Sequence, residues 1–102
     1  MSLKKQFLKS KPVCKVTFNV AADQAEGAKK VLVLGDFNNW NPKEANMRKL
    51  KDGSFTKTID LAVGQDYQFR YLVDESKWIN DTEADQYVHS GMAAEQNGVV
   101  SV

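Results

Sequence analysis

"DGSFTKTIDLAVGQDYQFRYLVD", Asp52 to Asp74, contains two stretches of strict alternation separated by a glycine turn. Asp52-Gly53 supplies the positive φ angles of a tight hairpin turn, and Phe55, Lys57, Ile59 and Leu61 alternate with Ser54, Thr56, Thr58 and Asp60. That period of two is the mark of a half-buried strand, because successive side chains point to opposite faces of a sheet. Lys57 among the apolar positions suggests a sheet edge, or a stem lying along the core with its ammonium in water. After the turn around Gly64 the second strand divides into an aromatic face of Tyr67, Phe69, Tyr71 and Val73 and another of Gln68, Arg70 and Leu72. One face serves the core, and the other is free for a second task.

The flanking segments extend this pattern. Upstream, "KVLVLGDF" from Lys30 has too few polar positions for a solvated face and reads as a central strand. "NNWNP", Asn38 to Pro42, then forms a turn, since short amide side chains bond their own backbone and Pro42 bars its predecessor from the helical region. Trp40 therefore sits in a loop. "PVCKVTFNV", Pro12 to Val20, alternates cleanly, while "AADQAEGAKK" reads as a loop or a single helical turn. Glu75 to Gly98 is long, polar and without sustained period, a mostly irregular excursion, and "VVSV" closes the chain as a short strand. Five to seven short strands with no amphipathic helix predict an all-β fold, an antiparallel β-sandwich. It forms one domain over 12–102 behind a basic leader at 1–11, which reads either as a docking arm for an anion or as a solvated, flexible segment.

Composition narrows the function. The 102 residues, 42% hydrophobic and 26% charged, fit one ordinary globular domain. Lys and Arg total 14 against 13 Asp and Glu, so the basic excess that phosphate-backbone binding demands is missing and nucleic acid is not an expected partner. No segment approaches the ~20 apolar residues of a membrane span, and the opening lacks the apolar run of a signal peptide. A cytoplasmic protein is the expectation. One cysteine, Cys14, and one histidine, His89, exclude an internal disulfide and a zinc-type cluster, so neither metal nor cofactor is expected. Cys14 shares a face with Val16, Phe18 and Val20 and reads as a small buried hydrophobe, and His89 as a loop residue.

Catalysis is hard to assemble from these parts. Asp81, Glu83 and Asp85 could supply paired carboxylates, but glycoside hydrolysis needs them on opposite sides of a bond in a walled cleft, and they read instead as solvated or turn-capping acids. No phosphate cradle, nucleophile elbow or His-Glu metal pair occurs. Binding is easier. The C–H face of a sugar lies flat on an aromatic ring, and its hydroxyls need planar or charged partners. Trp40, Trp78, Arg70 and Asn97 make such a set; alternatively the tryptophans pack the core, Arg70 forms a surface ion pair and Asn97 is a turn residue ahead of Gly98.

The order "VLGDFNNWNP", "DGSF", "YQFRYLVD", "W.ND" and "NGVVSV" resembles carbohydrate-binding module family 48. These are the early-set immunoglobulin-like domains at the front of glycogen-branching and debranching enzymes and isoamylases, and in the β subunit of AMP-activated protein kinase. The likeness covers about four fifths of the chain, from Lys30 to Val102 with Val13 to Val20 as a first strand. It implies an α-glucan-binding module in which Trp40 and Trp78 stack on glucose rings while Arg70 and Asn97 bond hydroxyls. Arg70 stands where the kinase-type domains carry lysine, and in "GMAAEQNG" Met92 or Ala93 takes the place of their ring-piercing leucine, with Glu95 near their threonine. With no catalytic barrel expected after Val102, the resemblance is to small stand-alone bacterial members.

The expected function is thus non-enzymatic binding of α-1,4-linked glucan, glycogen or maltooligosaccharide, with a glycogen-metabolising enzyme as a possible protein partner. The alternative is a protein-interaction or scaffold domain of glycogen metabolism that keeps the sandwich but has lost sugar binding. A single-stranded nucleic-acid binder would also use exposed aromatics with Arg, but near-neutral charge argues against it.

Overall fold

The computed structural model describes residues 3–74, 77–81, 84–89 and 96–102. In chain order the strands are β1 (Leu3–Phe7), β2 (Val13–Val20), β3 (Val31–Gly35), β4 (Arg48–Lys49), β5 (Phe55–Ala62), β6 (Asp66–Val73), β7 (Lys77–Ile79), β8 (Gln86–His89) and β9 (Gln96–Ser101). One helical turn, α1 (Ala22–Ala25), joins β2 to β3. Two antiparallel sheets face each other, one in the order β1-β2-β5-β4 and the other β3-β6-β9-β8, with β7 added alongside β6. The protein is an all-β antiparallel sandwich. No described helix is long and apolar enough to cross a membrane.

The alternation in the sequence becomes the core directly. β2 buries Cys14, Val16, Phe18 and Val20 completely, and β6 turns Phe69, Tyr71 and Val73 inward to meet them. Phe18 and Phe69 pack edge to face with ring centroids 5.2 Å apart, and Phe69 meets Tyr71 at 5.7 Å. Each such fully buried large side chain contributes about 1.5–3 kcal/mol of apolar transfer. Cys14 is the small buried hydrophobe its neighbours predicted.

Four expectations are corrected. β3 is not central: it ends its sheet, yet both its faces are covered. Its outer rim is bonded instead by the returning chain, through the Val33 N–H to the Ala45 carbonyl (2.9 Å) and the Met47 N–H to the Val31 carbonyl (3.0 Å). The hairpin at Asp52-Gly53 has a three-residue loop in which only Gly53 takes positive φ, at 90°, while Asp52 accepts bonds from the Ser54 hydroxyl and N–H. Those bonds, the hydroxyl's first, hold the Asp52 carboxyl below its ordinary range. The excursion after Glu75 is less irregular than expected, because β7 and β8 lie within it; three or four residues are too few for an alternation to be seen. His89 accordingly ends a strand rather than sitting in a loop.

Within the basic leader, residues 3–7 pair with β2 in the register Leu3↔Phe18 to Phe7↔Cys14, and Leu3 is buried. Lys57 resolves as a stem along the sheet, its ammonium donating to the Glu44 carbonyl at 3.0 Å.

Candidate functional site

The turn that carries Trp40 is built from side-chain bonds and tight backbone. Asn38 is nearly buried and satisfies two main-chain groups, accepting from the Gly35 N–H (3.1 Å) and donating to the Val33 carbonyl (3.0 Å). Asn39 and Trp40 then take successive left-handed conformations, with φ of 55° and 56°. For a bulky residue that costs about 1–2 kcal/mol. The Trp40 N–H offsets part of it by bonding the Gly35 carbonyl, and its indole Nε1 donates to Asp36 Oδ1, both at 3.0 Å. The other Asp36 oxygen accepts the Gln68 N–H at 2.9 Å, which ties the turn to β6. Gly35 is required for closeness: a Cβ there would lie 2.6 Å from the Gln68 carbonyl oxygen and 2.8 Å from the Phe37 ring.

This turn swings the half-buried Trp40 ring back over the outer face of its own strand. There it joins Leu32, Leu34, Ala45 and Leu72 in a small apolar cluster separate from the sandwich core. The tryptophan in the asparagine turn is therefore part cover and part surface.

β6 runs beside that cluster and presents Gln68, Arg70 and Leu72 on the same outer side, Arg70 opposite Leu34 and Leu72 opposite Leu32. On the other flank of β6, Trp78 of β7 pairs with Leu72 and is 44% exposed. The Arg70 guanidinium carbon lies 5.9 Å from the Trp78 ring centroid, a cation–π contact that steadies both side chains. β3 and β7 flank β6, so two strand spacings, about 10 Å, separate the strands that anchor Trp40 and Trp78. Trp40, Arg70 and Trp78 are thus brought to one face.

Asn97 reaches the same region but is only 8% exposed, and its Nδ2 donates to Gln68 Oε1 at 3.0 Å. One of its two N–H donors is engaged there, and Gln68, the less buried partner, is the polar group of the pair nearer to solvent. Gln68, Asp36 and Asn80 are not among the sequence-predicted site residues; Asn80 Oδ1 accepts the Gly98 N–H at 3.2 Å and links the end of β7 to β9. The position of Gln68 on the same strand face as Arg70 was the available signal. Met92, Ala93 and Glu95 lie outside the described residues, as does Glu83.

The remaining acids are structural. Asp81, expected at the surface, is 2% exposed and accepts the Tyr71 hydroxyl at 2.7 Å, while the Tyr87 hydroxyl donates to its main-chain carbonyl. Burial, then the Asp81 carboxylate, pushes the Tyr71 phenol far above its ordinary range. Asp85 pairs with Lys5 at 2.6 Å and accepts the Ser101 N–H at 2.8 Å.

Comparison with known proteins agrees with this architecture. A sequence profile of the glycogen recognition site of AMP-activated protein kinase matches residues 19–101, a span that includes all four of Trp40, Arg70, Trp78 and Asn97. The chain is 35% identical over 57 residues to the β-2 subunits of 5'-AMP-activated protein kinase from Mus musculus, Rattus norvegicus and Homo sapiens, covering 56% of this chain and 20% of each subunit. It therefore spans about a fifth of the length of these curated relatives. With a profile match over most of its length on an all-β sandwich, the chain belongs to the family of the glycogen recognition site of AMP-activated protein kinase, a group like carbohydrate-binding module family 48.

Proposed function

We propose that this chain is a non-catalytic binding module for α-1,4-linked glucan, glycogen or maltooligosaccharide, working through the outer face of β3, β6 and β7. The observation that carries this is the exposed Trp78 ring held beside the Arg70 guanidinium on the face that Trp40 also covers. Trp78 supplies the main stacking platform, and Trp40, half-buried over Leu32 and Leu34, a second and smaller one. Arg70 offers a planar fork of donors to a pair of hydroxyls. Asn97 acts by orienting Gln68, and Met92 is assigned a contact on family likeness alone. An open platform buries little of its ligand, so the affinity is micromolar to millimolar, roughly −4 to −8 kcal/mol.

Affinity electrophoresis tests this. The protein should be retarded in native gels containing glycogen or amylose, with no retardation in gels containing a β-linked glucan. Equal mobility in all of them would leave the scaffold reading in its place.

A further inference from the structure

The opposite sheet carries a second feature that sugar binding does not use. β1 ends its sheet, and among the described residues no strand lies on its outer side. The Leu8 N–H bonds the Val13 carbonyl at 3.1 Å, and bonded and non-bonded pairs alternate along an antiparallel ladder. The Gln6 and Lys4 backbone groups therefore face β2, whereas those of Lys5 and Phe7 face outward. Phe7 is itself 56% exposed. Inward of this edge, across β1, β2 and β5, lies a cavity of about 350 Å³ lined by Lys4, Lys5, Gln6, Lys15, Thr17 and Thr58.

The charge here is one-sided. Residues 1–22 contain Lys4, Lys5, Lys9, Lys11 and Lys15 and no acid. Lys5 and Lys15 are paired with Asp85 and Asp60, but Lys4, Lys9 and Lys11 have no ion pair among the described residues. Lysines on an edge strand oppose pairing with an identical edge, because a second copy would bring ammonium groups against ammonium groups. An acidic strand meets the reverse condition.

We propose that β1 is a docking strand for an extended, acidic polypeptide segment, which adds to the sheet by backbone bonds at Lys5 and Phe7 while its carboxylates meet Lys4, Lys9 and Lys11. The contact is independent of the glucan face, since it lies on the other sheet.

The probe is a fluorescein-labelled eight-residue peptide alternating Glu and Val, compared by anisotropy at low salt with its Lys-Val counterpart, with an N-methylated Glu-Val version and with inorganic polyphosphate. The Glu-Val peptide should bind at least tenfold more tightly than the other peptides and weaken as salt rises. Backbone amide shifts in the full chain should concentrate at Lys5 and Phe7. The triple variant Lys4→Glu, Lys9→Glu, Lys11→Glu should lose at least tenfold. Phe7→Pro, which removes an outward N–H without touching the ladder to β2, should lose about fivefold more than Phe7→Thr. Glycogen retention, unchanged in every variant, reports that the sandwich remains folded. Equal binding of the N-methylated peptide or of polyphosphate, amide shifts on β3, β6 or β7, or equal loss in Phe7→Pro and Phe7→Thr would each overturn strand addition.

Discussion

Replacing Trp78 by alanine removes the ring on which the proposed glucan site chiefly depends. Trp78 is 44% exposed. On an indole of about 250 Å² that leaves roughly 110 Å² in solvent, of which a stacked sugar covers about half. At about 25 cal/mol per Å², those ~60 Å² are worth about 1.5 kcal/mol, or a little over tenfold in affinity. The cost to the fold is much smaller, about 0.5–1 kcal/mol, because the side chain lies outside the sandwich core, on a strand position opposite Leu72 and against Arg70, rather than filling a cavity. Retardation in a glycogen gel series gives the affinity, and urea unfolding of the same preparation gives the stability. A Trp78→Ala protein with native stability and parental retardation would refute the stacking argument. A loss of binding that tracks a loss of several kcal/mol in stability would refute the placement of Trp78 at the surface.

Arg70→Lys keeps the charge but loses the planar fork, and should weaken glucan binding by about three- to tenfold, read in the same gels, while leaving the melting temperature within about 2 °C. Gly35→Ala should destabilise the protein by about 2–4 kcal/mol in urea melts, since its Cβ would meet a main-chain oxygen at 2.6 Å, and should reduce glucan binding at temperatures well below the melt because the Trp40 turn is displaced. Tyr71→Phe leaves the buried Asp81 carboxylate short of a donor and should cost about 1–3 kcal/mol at pH 7. The alkaline limb gives a second check. The folded-state pKa of Tyr71 is raised, so its contribution is complete below the unfolded value near 10 and declines above it by about 1.4 kcal/mol per pH unit; Tyr71→Phe should remove that slope from urea melts between pH 9 and 11.

The elements that could be read in the sequence were those whose alternation persisted for eight residues. Both faces of β6 and the inward face of β2 followed from periodicity alone, because every second side chain had only one low-energy direction. β1 was obscured by its lysines: only Leu3 is buried, and two apolar residues four apart, with Lys4, Lys5 and Gln6 between them, make no alternation. β3 misled in the opposite way, since an all-apolar run says that both faces are covered but not by what. Its cover is Trp40 and Ala45, supplied by a turn whose shape depends on the Asp36 and Asn38 bonds. Trp40, Trp78 and Arg70 could be nominated as aromatic and planar groups off the core pattern. That Asn97 is buried and bonded to Gln68 could not, because Gln68 and Asn97 lie 29 positions apart in the chain and meet only through the β6–β9 register.

Asp36 divides its two oxygens between the Trp40 indole and the β6 backbone. One carboxylate thereby ties the aromatic turn directly to the sheet. If this face binds glucan as proposed, the arriving chain should meet a ring already held at its working angle, so little ordering entropy should be lost on capture. Chains differing in linkage should then arrive equally fast and part at different speeds, with selectivity residing in dwell time.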